Sequence, residues 1–83
     1  MVETLTISIK LRTIFRDIFD NEMMNITEST SKMDIEDWDS VAQIKLVLAI
    51  EEEFAVRLSI EEVSSIKSVA GFMDSIQRHL AGQ

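Results

Sequence analysis

Residues 37–54 read DWDSVAQIKLVLAIEEEF, and the arrangement of the whole chain turns on this stretch. Val41, Ile44, Val47, Leu48, Ile50 and Phe54 recur at helical spacing, and Leu46 and Ala49 widen the apolar surface beyond one stripe. The pattern predicts a helix over about 40–54. A helix apolar on most of its sides is expected at the centre of a bundle, packed by several neighbours. Asp39 is a good residue to cap its start, and Ser40 followed three residues later by Gln43 also matches a capping box.

Upstream, residues 21–38 hold Asn21, Asn25, Thr27, Ser29, Thr30 and Ser31 with no sustained period. They read as a long loop, with Met23, Ile26, Met33, Ile35 and Trp38 as candidate anchors. Loops longer than about 12–15 residues are uncommon in compact domains and are often functional, which draws attention to the far end, at Ser40. Before the loop, Ile7, Leu11, Ile14, Phe15, Ile18 and Phe19 follow helical spacing, with Lys10, Arg12, Arg16 and Asp17 on the other side. They predict a helix over about 8–20. Leu5, Ile7 and Ile9 alternate with Thr4, Thr6 and Ser8, which would also suit a short strand. No second strand is available to pair with it, so a helix is favoured.

Downstream, Ser59-Ile60-Glu61-Glu62 is a capping-box pattern and predicts a short helix near 60–66. Val69, Phe72, Met73, Ile76 and Leu80 predict a last helix near 69–80, with Ser68 as its cap. The fold class is therefore all-α: a small four-helix bundle of three longer helices and one short, with a long loop between helices 1 and 2. Two glycines and no proline agree with helices rather than strands and turns. The expected core is Leu11, Ile14, Phe15, Ile18, Ile44, Val47, Leu48, Phe54, Ile66, Val69, Phe72 and Ile76.

Eighty-three residues make one domain, 1–83, with its core in about 8–80. Fifteen Asp and Glu against eight Lys and Arg leave a net charge of -7, which a nucleic-acid backbone would repel and basic protein surfaces would attract. With 46% hydrophobic residues, the acidity does not signal disorder. The absence of cysteine rules out disulfides and thiolate metal sites. No apolar run is long enough to span a membrane, and Met1-Val2-Glu3-Thr4 lacks the basic start of a signal peptide. A cytoplasmic monomer with neither nucleic-acid nor membrane partners is expected.

So small a domain has little room for a catalytic cleft. Its one histidine, His79, reads as a solvated end-of-helix residue, and Glu51-Glu52-Glu53 as a solvated face. Asp34, Glu36, Asp37 and Asp39 lack the ligand order, central glycine and terminal Glu of a calcium loop. Neither an enzyme nor a metal site is expected.

Trp38-Asp39-Ser40-Val41 is followed by Ile44, by Leu46-Val47-Leu48-Ala49-Ile50-Glu51-Glu52-Glu53-Phe54, and then by Val56, Leu58, Glu61-Glu62, Ile66 and Val69. In motif and element order, from about residue 11 to 80, this resembles the acyl carrier protein family. The resemblance implies a carrier that holds 4'-phosphopantetheine covalently on Ser40, with Asp39 and Val41 as its motif neighbours. Acyl groups would travel on that arm as thioesters. A phosphopantetheinyl transferase and an acyl-activating enzyme, synthase or transferase would be the partners, in fatty acid or polyketide biosynthesis. Lys45, Glu51 and Glu52 fall on the helix that the family presents to such enzymes.

The chain also departs from the family. Val41 replaces the usual leucine, Ala42 and Lys45 stand where many fatty-acid carriers are acidic, and Ala55 stands where glycine is frequent. These departures imply a dedicated carrier of a specialised pathway. Two other readings accompany it: an aminoacyl or peptidyl carrier with the same arm, and a cofactor-free acidic helical adaptor in which Ser40 is only a cap.

Overall fold

The computed structural model describes residues 4–81 and contains α1 (Thr4–Ile18), α2 (Ser40–Phe54), α3 (Ile60–Ser65) and α4 (Val69–Ala81), with one 3-10 turn at Lys32–Asp34 inside the long loop. Among the described residues there is no strand; Leu5, Ile7 and Ile9 are helical, and α1 begins earlier than the pattern placed it. It ends before Asp20, which takes a left-handed φ of 50°. Asn21 N–H then donates to Arg16 O at 3.0 Å, closing the helix end. Aspartate enters that region more readily than most residues.

α1, not α2, is the element that the other two long helices share, for it packs against both α2 and α4. Its stripe of Ile7, Leu11, Ile14 and Phe15 is buried. α2 turns Ala42, Gln43, Leu46, Val47, Ile50 and Phe54 inward. Ile44 and Leu48, expected in the core, are instead 58% and 60% exposed. The reason is geometric: an apolar helix is central only if neighbours cover both its sides, and here one side of α2 stays open. Ile18 is half-buried at the edge of the core. Leu11, Ile14, Phe15, Val47, Phe54, Ile66, Val69, Phe72 and Ile76 are buried as expected.

The two long helices α1 and α2 run antiparallel. Lys10 Nζ lies 3.4 Å from Glu53 Oε2 at one end, and Ile18 and Phe19 line a depression with Val41 and Ala42 at the other. Between the helices sits an aromatic cluster. Trp38 meets Phe15 edge-on at 5.1 Å between ring centroids and stacks on Phe72 at 6.2 Å. Offset and edge-on rings of this kind add about 0.5–1.5 kcal/mol per pair beyond simple burial.

The long loop is anchored by Ile26, Ile35 and Trp38, all buried. Met23 and Met33 are not anchors, since both are almost fully exposed. Backbone bonds hold the loop instead. Lys32 N–H donates to Lys67 O at 2.9 Å, Val69 N–H to Thr30 O at 2.9 Å and Ala70 N–H to Glu28 O at 3.1 Å. These bonds satisfy loop amides and carbonyls that would otherwise lie unpaired beside the core.

α2 ends where Ala55 adopts φ 54° and ψ 46°, with Val56 N–H reaching back to Glu51 O at 3.2 Å. A Cβ in the left-handed region costs roughly 1–2 kcal/mol, partly offset by the unfolded-state entropy that a glycine would lose. Ala55→Gly is accordingly expected to stabilise the protein by about 0.5–1 kcal/mol. A urea midpoint that stays put or falls would show that Ala55 is not strained.

No residue of α3 is buried, so side-chain bonds carry much of its attachment. The predicted capping box is present: Ser59 Oγ accepts Glu62 N–H at 3.1 Å, and Glu62 Oε1 accepts Ser59 N–H at 3.4 Å. Glu62 also meets His79 Nε2 at 2.9 Å and Arg78 Nη2 at 3.5 Å on α4. His79 is therefore half-buried and paired, where a solvated residue was expected; its partner lies on a different helix and local spacing could not announce it.

The His79 hydrogen bond holds the Glu62 carboxyl below its ordinary pKa of 4.5, against the opposing effect of burial, with help from Ser75 and the Ser59 N–H. A depressed carboxyl contributes stability above its unfolded pKa and loses it as pH falls through the lower folded value. Urea midpoints should therefore drop between pH 6 and pH 3 by less in Glu62→Gln than in the wild type. Equal drops would remove Glu62 from the acid response.

Candidate functional site

The candidate site is the entry to α2. Trp38 N–H donates to Ile35 O at 3.1 Å and Asp39 N–H to Asp37 O at 2.9 Å, which turns the loop sharply before the helix. Asp39 is extended, and its Oδ1 accepts the Ala42 N–H at 2.9 Å. Asp39 is thus the cap, and its removal would cost about 0.5–2 kcal/mol. The sequence left two capping schemes open, and the structure selects this one.

Ser40 is then free of structural duty. It is the first residue of α2, exposed, and its hydroxyl has no hydrogen-bond partner among the described residues. The dipole of a 15-residue helix and the amides of its first turn make this point favourable for a negatively charged group.

Gln43, the other half of the supposed capping box, points the opposite way. Its side chain is buried and meets Trp38 Nε1 at 2.7 Å. Trp38 itself is a loop anchor, as its position suggested, at 3% exposure.

Val41 is 60% exposed, and with Ile44 and Leu48 it forms an outward apolar stripe running from Ser40 along α2. The sequence pointed to these side chains as apolar but assigned Ile44 and Leu48 to the core. Lys45 is exposed and borders a depression of about 250 Å³ with Asp20, Asp37, Asp39, Ile18 and Phe19. It lies on the same stretch of helix as Ser40. Glu51 does not: its Oε2 accepts the Leu58 N–H at 2.9 Å, tying down the turn before α3. Glu52 is exposed beside it. Eleven and twelve residues of helix separate these two from Ser40, about 17 Å along the axis.

No protein-family model matches the chain. Comparison with characterised proteins is more informative. The chain is 30% identical over 70 residues to an acyl carrier protein of Lactobacillus acidophilus, covering 84% of this chain and 88% of that protein. It is 31% identical over 74 residues to polyketide-8 synthase acyl carrier protein 2 of Streptomyces avermitilis, covering 86% and 85%. Among solved structures, the holo acyl carrier protein of Geobacter metallireducens superposes with a TM-score of 0.77 at 29% identity, covering 88% of this chain and 87% of that one. The acyl carrier protein of Thermotoga maritima gives 0.82 at 25% identity, covering 95% and 92%. Similarity in sequence and in fold thus runs through nearly the whole length on both sides, and the chain belongs to the acyl carrier protein family.

Proposed function

We propose that this chain is a single carrier domain that holds 4'-phosphopantetheine on Ser40 and delivers acyl groups to partner enzymes. The observation that carries the reading is the exposed Ser40 hydroxyl, unbonded because Asp39 does the capping. The Geobacter metallireducens relative is a holo acyl carrier protein, which supports the reading from outside. When bound, the arm supplies a terminal thiol, absent from this cysteine-free chain, on which acyl groups are carried as thioesters.

Attachment needs a phosphopantetheinyl transferase with coenzyme A. Ser40 Oγ forms a bond to the phosphorus that bears the pantetheine, and the bond to the nucleotide phosphate breaks, the nucleotide leaving with the electron pair. The hydroxyl proton goes to a base of the transferase, since no side chain among the described residues is hydrogen-bonded to the Ser40 hydroxyl to receive it. The chain's part is to present the hydroxyl and to place the new phosphodiester at a helix N-terminus.

The same residues support a docking role for α2. Val41, Ile44 and Leu48 offer an apolar face next to Ser40, and apolar patches at such positions serve protein contacts. Lys45 adds a positive charge to it. A synthase, transferase or acyl-activating enzyme would approach this face, and a monomer in the cytoplasm is the form that leaves it open. Incubation of the purified protein with coenzyme A and a broad-specificity transferase should raise its intact mass by one arm. A wild-type protein that stays unmodified would sink the proposal.

A further inference from the structure

We infer that Gln43 is the positioning residue of the Ser40 junction, tying the loop that enters α2 and the C-terminal end of α3 to one point. The inference rests on the attachment reading above. Gln43 is buried at 8% exposure, three residues past Ser40. Its Oε1 accepts the Trp38 indole N–H at 2.7 Å, and its Nε2 donates to Val63 O at 3.0 Å and Ile66 O at 3.1 Å. The orientation of the amide follows from chemistry: an indole nitrogen can only donate, and the two carbonyls can only accept. Three of the four hydrogen-bonding positions of the carboxamide are filled, by groups from two segments, the loop before α2 and the end of α3.

Each of those segments needs this contact. Trp38 lies two residues before Ser40, so its indole fixes where the loop arrives. Val63 and Ile66 lie at the end of α3, which buries no residue of its own; Val63 O also accepts the Ile66 N–H at 3.3 Å. A buried carbonyl left unpaired is costly, so the amide holds the end of α3 chiefly through the Ile66 carbonyl. Among the described residues the Ser40 hydroxyl has no hydrogen-bond partner through which it could be aimed. Its placement is set by the backbone, which is gripped on one side by Asp39 and on the other by Gln43 N–H to Asp39 O at 2.9 Å. Gln43 thus connects the position of α3 to the presentation of Ser40.

The test is loading kinetics of Gln43→Met, which keeps length and apolar volume but removes all three bonds. Misplacing a nucleophile lowers turnover more than it weakens encounter, while the exposed face of α2 that a transferase meets is unchanged. With coenzyme A and a broad-specificity transferase, kcat should fall about tenfold and KM should stay within about twofold. The Trp38 indole N–H resonance should move, together with amide signals of Ser40 and of residues 63–66. Ile76→Val, a destabilising core change on α4, serves as the control for lost stability and should leave kcat unchanged. If Gln43→Met does not fold, Trp38→Phe leaves an aromatic ring in the cluster at some loss of packing, removes the indole donor and should lower kcat about threefold, with KM within about twofold.

A kcat in the folded variant equal to that of the wild type, or lowered no more than in Ile76→Val, overturns the inference and makes Gln43 a packing residue only. The attachment reading fails in a different way, by a wild-type protein that takes up no arm.

Discussion

Ser40→Ala is expected to take up no arm from coenzyme A under conditions that fully load the wild type. The expectation is all-or-none because the proposed nucleophile is the hydroxyl oxygen, and alanine has nothing to replace it. The substitution should also leave the fold intact, which is what makes it informative. Helix capping is done by Asp39 Oδ1, and the Ser40 side chain touches no partner among the described residues. An exposed position of that kind tolerates change within about 0.5 kcal/mol, and alanine is a good helix former. Intact mass reads the arm, and circular dichroism with a urea titration reads the fold. Other serines are poor substitutes. Ser59 and Ser68 are committed to caps, accepting the Glu62 and Gly71 amides. Uptake of an arm by Ser40→Ala would move the attachment elsewhere. Failure of both proteins to load would favour a cofactor-free adaptor.

Phe15→Ala should be the most damaging single truncation. Phe15 is fully buried on the shared helix α1 and contacts the rings of Phe19, Trp38 and Phe72. Removing a buried phenyl ring costs about 3–5 kcal/mol, through lost transfer energy and the cavity left behind. A domain of this size has roughly 4–12 kcal/mol in all, at about 0.05–0.15 per residue. The loss takes about a quarter or more of that total, and at its lower end much of the population should unfold, as followed by Trp38 fluorescence in urea. Leu48→Ala makes the contrast, since 60% of Leu48 is exposed and its loss should be under about 1 kcal/mol. If the two variants lose stability equally, the burial assigned to α1 and α2 is wrong.

That contrast also shows where the sequence is legible. The helices over 40–54, 60–66 and 69–80 were readable within a residue or so, because their caps and apolar periods are local. Which side of α2 faces inward was not. Val41, Ile44 and Leu48 form one apolar stripe, Leu46, Ile50 and Phe54 another, and only the docking of α1 distinguishes them. A central α2 was the natural expectation from composition, and it fails because a helix can be apolar on a side the fold leaves uncovered. The site was legible in part. Asp39 and Ser40 announce a helix start next to each other, but the division of labour between them depends on where Gln43 points. That direction is set by Trp38 and by Val63 and Ile66, and the latter two lie far along the chain. The pairing of His79 with Glu62 was hidden for the same reason.

The backbone bonds between the long loop and the start of α4 have a consequence for the order of events during synthesis. Lys67, Val69 and Ala70 supply the partners for Lys32, Thr30 and Glu28. Ile66, next to them, supplies one of the carbonyls held by Gln43. A nascent chain that has emerged only through α2 displays Asp39 and Ser40 without the clamp that fixes their approach. Ribosome-bound chains stalled short of residue 66 should accordingly be poor acceptors, and competence should arrive abruptly once α3 and the first turn of α4 are out of the tunnel. Maturation of the carrier would then wait for α3 and the start of α4, and products truncated before them would not consume coenzyme A.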